Sequence, residues 1–466
     1  MPLPRIFRLQ DLVLLIVGAV IGSGIFLVPT VVLRQVGGSP YLAFLAWVMG
    51  GVISLLGALT YGELSARVPQ AGGLYVHIRQ CFGSLPAFLY GWALFFVISS
   101  GAVATLAVAF STYLSQFVAM DPTTSKLVPL LMIAVVGVIN VRGTRQSATV
   151  QNWTTALKVT AVLAFSIVLL LFESQASIYA TVALAERSVL SGFGLAMISV
   201  LWAYEGWQYC TFSAGEVIDP QRNFPRAFLI GLAVVILVYV LANAGYLAAL
   251  GPSGVMSSNS VAATAVSAVL GPWANRLITI AILVSIFSAA NAFTLTSTRV
   301  YYAMAADGVF FSRLAKVHPR YGTPALSIAA SCCCSAVLSL SGTFQQLLTY
   351  VVISGWIFYA LGAAAIFVYR NRTAPSAGSY TVPGYPWTPI LFIIAACFLV
   401  LNGIISEPAH AGVGIGIVLM GTPAYFAWRA LKRRRDGATQ DRSRYGALKD
   451  DVQEPAIDEQ HCCKLG

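Results

Sequence analysis

Val17-Gly18-Ala19-Val20-Ile21-Gly22-Ser23-Gly24-Ile25-Phe26 lies inside the first long apolar run of the chain, and Ser199-Val200-Leu201-Trp202-Ala203-Tyr204-Glu205-Gly206-Trp207 lies inside the sixth. Each run is interrupted by residues that continue a helix poorly. Each interruption comes about a dozen residues after its run begins, roughly 18–20 Å along a helix rising about 1.5 Å per residue. In a bilayer with about 30 Å of hydrocarbon, that depth is near the midplane.

The bilayer follows from the rest of the chain. Of 466 residues, 58% are hydrophobic and 10% charged, too little polar surface to dissolve soluble domains of this size. Windows of about 20 apolar residues bounded by charge, Gly or Pro predict twelve spans, at about 9–33, 41–66, 85–118, 127–141, 150–172, 192–216, 227–250, 276–305, 324–341, 346–369, 387–405 and 411–431. The expected fold class is an all-α integral membrane protein. An even number of spans puts both termini on one side. Fourteen basic residues before the tail (Arg5, Arg8, Arg67, Arg79, Arg142, Arg145, Arg222, Arg226, Arg299, Arg313, Lys316, Arg320, Arg370 and Arg372) fall on the side of the N-terminus, against Arg34, Lys126, Arg187 and Arg276 opposite. The positive-inside rule therefore predicts cytoplasmic termini in a plasma or inner membrane.

The net charge of +11 reports this topology, and nucleic-acid binding need not be invoked. The basic N-terminus and apolar first run superficially resemble a secretory signal, but no small-residue cleavage site follows. The tail from Lys432, with Lys432-Arg433-Arg434-Arg435, lacks apolar periodicity and is expected to be disordered; its basic run reads as a stop-transfer flank, with lipid head groups an alternative contact. Cys81, Cys210, Cys332, Cys333, Cys334 and Cys397 lie in or beside apolar segments and read as buried free thiols. Cys462 and Cys463 fit a prenylation box poorly, though palmitoylation is conceivable. His77, His318, His410 and His461 are scattered, with no metal-ligand or triad spacing, so neither an enzyme, a metal nor a cofactor is expected.

Five spans separate the start of the first from the start of the sixth, so the two broken ones enter from opposite faces as first helices of two inverted five-helix repeats. Such breaks in corresponding places are the best sequence pointer to a transporter binding site. The predicted organisation is an N-terminal segment 1–8, repeats over 9–172 and 192–369, extra helices over 387–431 and a tail over 432–466. Unwound backbone leaves N–H and C=O groups that hydrocarbon cannot satisfy and a polar ligand can. The amides of Ser23, Gly24 and Ile25 open a half-helix whose dipole favours a carboxylate. The carbonyls of Leu201, Trp202 and Ala203 end one that favours an ammonium. An α-amino acid carries both groups. Gly-Ser-Gly alone also fits close helix packing, but Glu205, ionisable and deep in the membrane, weighs toward function.

At these residues the chain resembles the amino acid–polyamine–organocation superfamily, most closely the L-type amino acid transporters and their bacterial homologues. The resemblance covers spans one to ten and rests on several motifs in order. These are Gly22-Ser23-Gly24-Ile25-Phe26, Trp202-Ala203-Tyr204-Glu205-Gly206-Trp207 followed by Glu216 and Asn223-Phe224-Pro225, Val150-Gln151-Asn152 with Lys158, Asn291 with Ser297-Thr298-Arg299, Asp307-Gly308 and His318-Pro319. It implies a leucine-transporter-type fold of two inverted five-helix repeats plus two helices, alternating access, and amino acid exchange or uniport. The implied substrate site comprises Ile21, Gly22, Ser23, Gly24, Ile25, Trp202, Ala203, Tyr204, Glu205, Gly206 and Trp356, with Ser23 and Gly24 holding the carboxylate, Trp202 as aromatic gate and Trp356 lining the side-chain pocket.

By the same resemblance Lys158 replaces a sodium ion between spans one, five and eight, so sodium coupling is not expected. Its ammonium has the reach to donate to carbonyls near Gly18 to Gly22; the alternative is snorkelling to the cytoplasmic face. Glu205 stands where many relatives carry a small residue. It could pair with a cationic side chain, couple transport to protons, or hydrogen-bond the unwound backbone. Heteromeric animal members carry a Cys between spans three and four. The loop Ala119 to Lys126 has none, so no disulfide-linked heavy subunit is expected. The expected function is sodium-independent transport of neutral or cationic L-amino acids; the rivals are a proton-coupled amino acid or polyamine permease, and a non-transporting sensor or receptor. A polyamine would leave the Ser23-Gly24 anion site empty.

Overall fold

The computed structural model describes residues 5–171, 189–341, 344–373, 379–406 and 408–450. Arg187, His461, Cys462 and Cys463 lie outside these, as do the side chains of His410 and of everything beyond Ala430. Among the described residues sixteen α-helices follow one another: α1 (Leu9–Val20), α2 (Gly24–Gln35), α3 (Pro40–Arg67), α4 (Leu74–Phe82), α5 (Ser84–Ala93), α6 (Ser99–Leu114), α7 (Pro122–Arg142), α8 (Thr144–Leu171), α9 (Val189–Ala203), α10 (Pro220–Ser257), α11 (Val261–Leu270), α12 (Trp273–Ala306), α13 (Ala325–Ser341), α14 (Phe344–Arg372), α15 (Trp387–Ser406) and α16 (Pro408–Asp450). Among the described residues the only β-type pairing is an isolated bridge between Phe7 and Val217.

Among the described residues ten runs are long and apolar enough to cross a membrane, and α1 with α2 make an eleventh, bent by 46° at its break. The expected ninth span is shorter: α13 has 17 residues, about 25 Å at 1.5 Å per residue against about 30 Å of hydrocarbon. Among the described residues twelve full-length spans are therefore not confirmed. The short helices α4 and α11 fall between the expected spans. The tail departs from expectation too, since α16 stays helical through Asp450. Its Lys, Arg, Ala and Gln residues readily extend a helix already begun in the apolar part.

Local chemistry sets the ends. Ser39 accepts from the Leu42 amide ahead of Pro40 at the start of α3, and Asp121 accepts from the Thr123 amide ahead of Pro122 at the start of α7. Both pair a side-chain cap with proline in the first turn. The outer faces are apolar: Leu391, Ile394, Phe398, Leu401 and Ile405 are exposed at helical spacing along α15, a stripe that water would penalise and lipid accepts. The polar side chains turn inward, around the broken α1–α2 pair, which packs on α8, α9, α10 and α12. This is a multi-pass membrane protein.

Candidate functional site

Helix α1 stops at Val20, Ile21 leaves the helical region at φ −74°, ψ 89°, and α2 restarts at Gly24. The carbonyls thereby released are taken up by side chains from three other helices. Lys158 of α8 donates through Nζ to Gly18 O at 2.6 Å and Ile21 O at 2.5 Å. Ser285 of α12 lies 3.0 Å from Ile21 O and 3.1 Å from Gly22 O. Tyr239 of α10 lies 2.9 Å from Val20 O. Lys158 is 1% exposed, so its ammonium ends on the break and does not snorkel. A buried ammonium is tolerable only with such partners.

The second break lies between α9 and a 3-10 helix, Trp207–Glu216. Gly206 turns it at φ +129°, a conformation open to glycine and rare for other residues. The two breaks pack backbone to backbone. A Cβ on Gly24 would stand 2.7 Å from the Cα of Ala203, and one on Gly206 would stand 2.8 Å from the carbonyl carbon of Ala19. Tyr239 joins them a third time, its hydroxyl lying 2.7 Å from Ala203 O as well as beside Val20 O. That hydroxyl has one proton for two carbonyls.

Between the breaks lies a small cavity of ≈ 10 Å³ lined by Ala19, Gly22, Ser23, Trp202, Glu205 and Phe293 among others, about the room one water needs. Ser23 Oγ has no hydrogen-bond partner among the described residues, and neither do the amides of Ser23, Gly24 and Ile25. Across the cavity, Glu205 Oε1 accepts from Tyr359 Oη of α14 at 2.6 Å and from Gln208 Nε2 at 2.5 Å. Tyr61 of α3 donates to Tyr359 O at 3.0 Å. Unpartnered donors thus sit on one wall and a buried carboxylate on the other, an arrangement suited to an anionic and a cationic group on one small molecule.

Of the residues singled out from the sequence, Gly22, Ser23, Gly24, Trp202 and Glu205 line this cavity. Ile21 and Gly206 act through backbone beside it. Ile25 is fully buried without lining it. The Trp202 and Ala203 carbonyls accept from the Glu205 amide and from Tyr239, which leaves Leu201 O as the unclaimed one among the described residues. Tyr204 turns away onto Trp47 and Tyr239. Trp356 lies behind Tyr359 against Phe392. The sequence reading misses Tyr239, Ser285, Gln208 and Tyr359. Tyr239 and Tyr359 are solitary hydroxyls in apolar stretches, whereas Gln208, three residues from Glu205, and Ser285, three residues from Ser288, stand within reach of a sequence argument.

The end of the bundle bearing the N-terminus is closed. Ile6 and Phe7 amides donate to Glu216 O at 2.8 and 3.0 Å, and the Ile218 amide donates to Phe7 O at 2.9 Å. Glu216 pairs with Arg299 at 2.8 Å, both side chains 1% exposed, and Arg299 also donates to Thr144 Oγ1 at 2.9 Å. Asn152 donates to Asp11 at 2.8 Å. Above it a buried polar chain runs through Asn140, Ser147, Asn291, Gln151 and Ser288. No group of three His, Cys, Asp or Glu able to hold a metal occurs among the described residues.

Residues 7–426 match the model of the amino acid permease family. The serine/threonine exchanger SteT of Bacillus subtilis is 30% identical over 90% of this chain and 95% of its own. The human cystine/glutamate transporter is 30% identical over 88% of this chain and 83% of its own, and the rat large neutral amino acids transporter small subunit 2 is 31% identical over 88% and 78%. Two helices broken face to face around free amides and a carboxylate, in a match that runs nearly end to end, lead to one assignment: the chain belongs to the amino acid permease family of the amino acid–polyamine–organocation superfamily, a family of transporters.

Proposed function

We propose that this chain is a sodium-independent exchanger of neutral or cationic L-amino acids that works by alternating access. The observation that carries the reading is the pair of groups facing each other across the central cavity: the free amides and hydroxyl at Ser23 to Ile25, and the Glu205 carboxylate. The substrate carboxylate would dock on the Ser23-Gly24 wall at the start of α2, and its ammonium would face Leu201 O and Glu205. Lys158 supports sodium independence, because its ammonium already occupies the carbonyls of Gly18 and Ile21 that a cation would need. Exchange is supported by the relatives, a serine/threonine exchanger among them.

The same reading takes the chain as two inverted repeats, 9–172 and 192–369, with α13 as a short ninth crossing, 387–431 as two further crossings, and both termini in the cytoplasm of a plasma or inner membrane. It includes no disulfide-linked subunit, on the cysteine-free loop Ala119 to Lys126. A second reading, proton-coupled uptake, draws on one observation, the buried Glu205 carboxylate held by Tyr359 and Gln208.

Reconstitution decides. Purified protein in liposomes is given each labelled proteinogenic amino acid and simple amines in sodium-free buffer, at two pH values, with or without internal unlabelled amino acid. The expected result is saturable uptake without sodium, stimulated by internal substrate. A demand for external sodium refutes the Lys158 argument, indifference to internal amino acid refutes exchange, and uptake driven by a pH gradient alone selects the proton-coupled reading. Binding without uptake would indicate a sensor.

A further inference from the structure

A second, larger cavity of ≈ 260 Å³ opens on the side away from the N-terminus, lined by α2, α6, α9 and the segment after α10. On the same measure a single water needs about 10–15 Å³, so this space admits an amino acid. It starts one helical turn beyond the central cavity: Leu27 and Ala109 line it where Gly24 and Leu106 line the inner one. Arg34 stands at its far end, ten residues from Gly24, about 15 Å along α2.

Arg34 is held in place and left half unused. Its Nε donates to Met256 O at 2.6 Å, which fixes the guanidinium at the end of α10, while Nη1 and Nη2 have no partner among the described residues. Asn259, exposed beside it, likewise has no side-chain partner there. No Asp or Glu lines the cavity, so the positive charge lacks a counter-ion in the wall. Arg34 also stands on the face where basic residues are scarce, so the topological bias does not account for it. A planar guanidinium with two free nitrogens presents the fork that matches a carboxylate. Leu27, Val28 and Val31 line the cavity beside it with apolar surface for the rest of an amino acid.

We infer that this vestibule is a second, outer binding subsite, in which Arg34 docks the α-carboxylate of an amino acid on its way to or from the central cavity. The inference rests on the transport reading above. Arg34 is here a binding residue for one face of the membrane only, which separates it from a purely structural tie between α2 and α10.

The test is side-specific kinetics in oriented proteoliposomes, with labelled amino acid varied outside at saturating internal substrate, then the reverse. In wild type, raising external salt from low to high ionic strength is expected to raise the external KM and leave the internal KM alone, because a solvent-facing charge is screened. Arg34→Gln is expected to raise external KM roughly 3- to 10-fold, the worth of one partly exposed charge-assisted contact, with kcat and internal KM little changed, and to abolish the salt effect. Arg34→Lys is expected to keep the salt effect and part of the affinity. An external KM that ignores salt in wild type overturns the proposal without any variant, and so does an equal shift on both faces in Arg34→Gln. No uptake of any amino acid by wild type removes the transport reading and this subsite with it; uptake without the sided effect removes the subsite alone.

Discussion

Replacing Gly24 by Ala tests the site at its tightest point. The added Cβ would lie 2.7 Å from both Cα and Cβ of Ala203, closer than the 3.0 Å below which real Cβ contacts essentially never fall, so the two breaks must move apart. Neither side yields easily. Ala203 is backbone at the end of α9, and its carbonyl is tied with that of Val20 to Tyr239, so widening the gap also stretches that link. Overpacking of this kind costs about 1–3 kcal/mol, equivalent to roughly 5- to 150-fold in the population of the apposed state. Gly206→Ala adds a disfavoured φ of +129° to a 2.8 Å clash and is expected to be worse. At Gly412 in α16 an added Cβ would meet nothing within 4 Å, so Gly412→Ala is the matched control. Initial uptake rates in proteoliposomes and melting in detergent are both measured. Gly24→Ala and Gly206→Ala should melt lower and transport more slowly than Gly412→Ala; if all three match wild type, the backbone apposition has no role in the cycle.

Lys158→Gln strips the ammonium from the Gly18 and Ile21 carbonyls and is expected to cut uptake more than tenfold in protein that still elutes as a single folded species; near-wild-type uptake refutes the cation role. Tyr239→Phe leaves the Val20 and Ala203 carbonyls without their hydroxyl, a loss of about 1–3 kcal/mol. A fall in maximal rate with little change in KM is expected, and an unaltered rate counts against the link. Glu205→Gln is expected to weaken neutral and cationic amino acids alike, at least tenfold in competition assays, because both bring the α-ammonium that the carboxylate faces; unchanged affinity and pH dependence would reduce Glu205 to a backbone support. His77, on α4, is fully buried with both ring nitrogens unpartnered among the described residues, and burial lowers its pKa to about 3. The folded state then stays neutral while the unfolded state gains a proton below about 6.5, so stability falls as pH drops through that range, by about 2 kcal/mol at pH 5. His77→Phe should remove this acid sensitivity, and a melting-against-pH curve parallel to wild type would refute it.

The breaks were legible because they violate a rule that holds along the rest of their spans: apolar runs of bilayer length do not carry Gly-Ser-Gly or Tyr-Glu-Gly without cause. Lys158 was legible as a charge held deep in a span, and its place beside the first break came from the family resemblance. The donors that complete the site were missed. Tyr239 sits in an apolar stretch of α10, where a single hydroxyl carries no pattern; Ser285 begins a three-residue polar spacing with Ser288 and Asn291, a signal the sequence reading did not use. Adjacency misled in the opposite direction. Tyr204 neighbours Glu205 in sequence, yet both lie in the turn between α9 and the 3-10 helix, where one side chain lines the cavity and the other packs on Trp47 and Tyr239. On α14 the indole of Trp356 is the conspicuous residue, while Tyr359, one turn on, reaches the carboxylate.

The polar contacts are unequal between the two ends of the bundle, and that inequality says which end must give way. On the side of the N-terminus, backbone pairing of Phe7 with Glu216 and Ile218, the buried Glu216–Arg299 pair and the Arg299–Thr144 bond join the entry to α1, the end of the second broken helix, α8 and α12. On the other side, Thr30 and Arg34 each hold one carbonyl at the end of α10, and the cavity stands open. Parting the first set exposes a buried ion pair, which is costly if the partners separate dry and far less so if water follows them. On the proposed alternating-access reading, release toward the N-terminal side would require water to enter between α1 and the Trp207–Glu216 helix as they part, with the close midplane contacts of Gly24 with Ala203 and Gly206 with Ala19 as the proposed pivot.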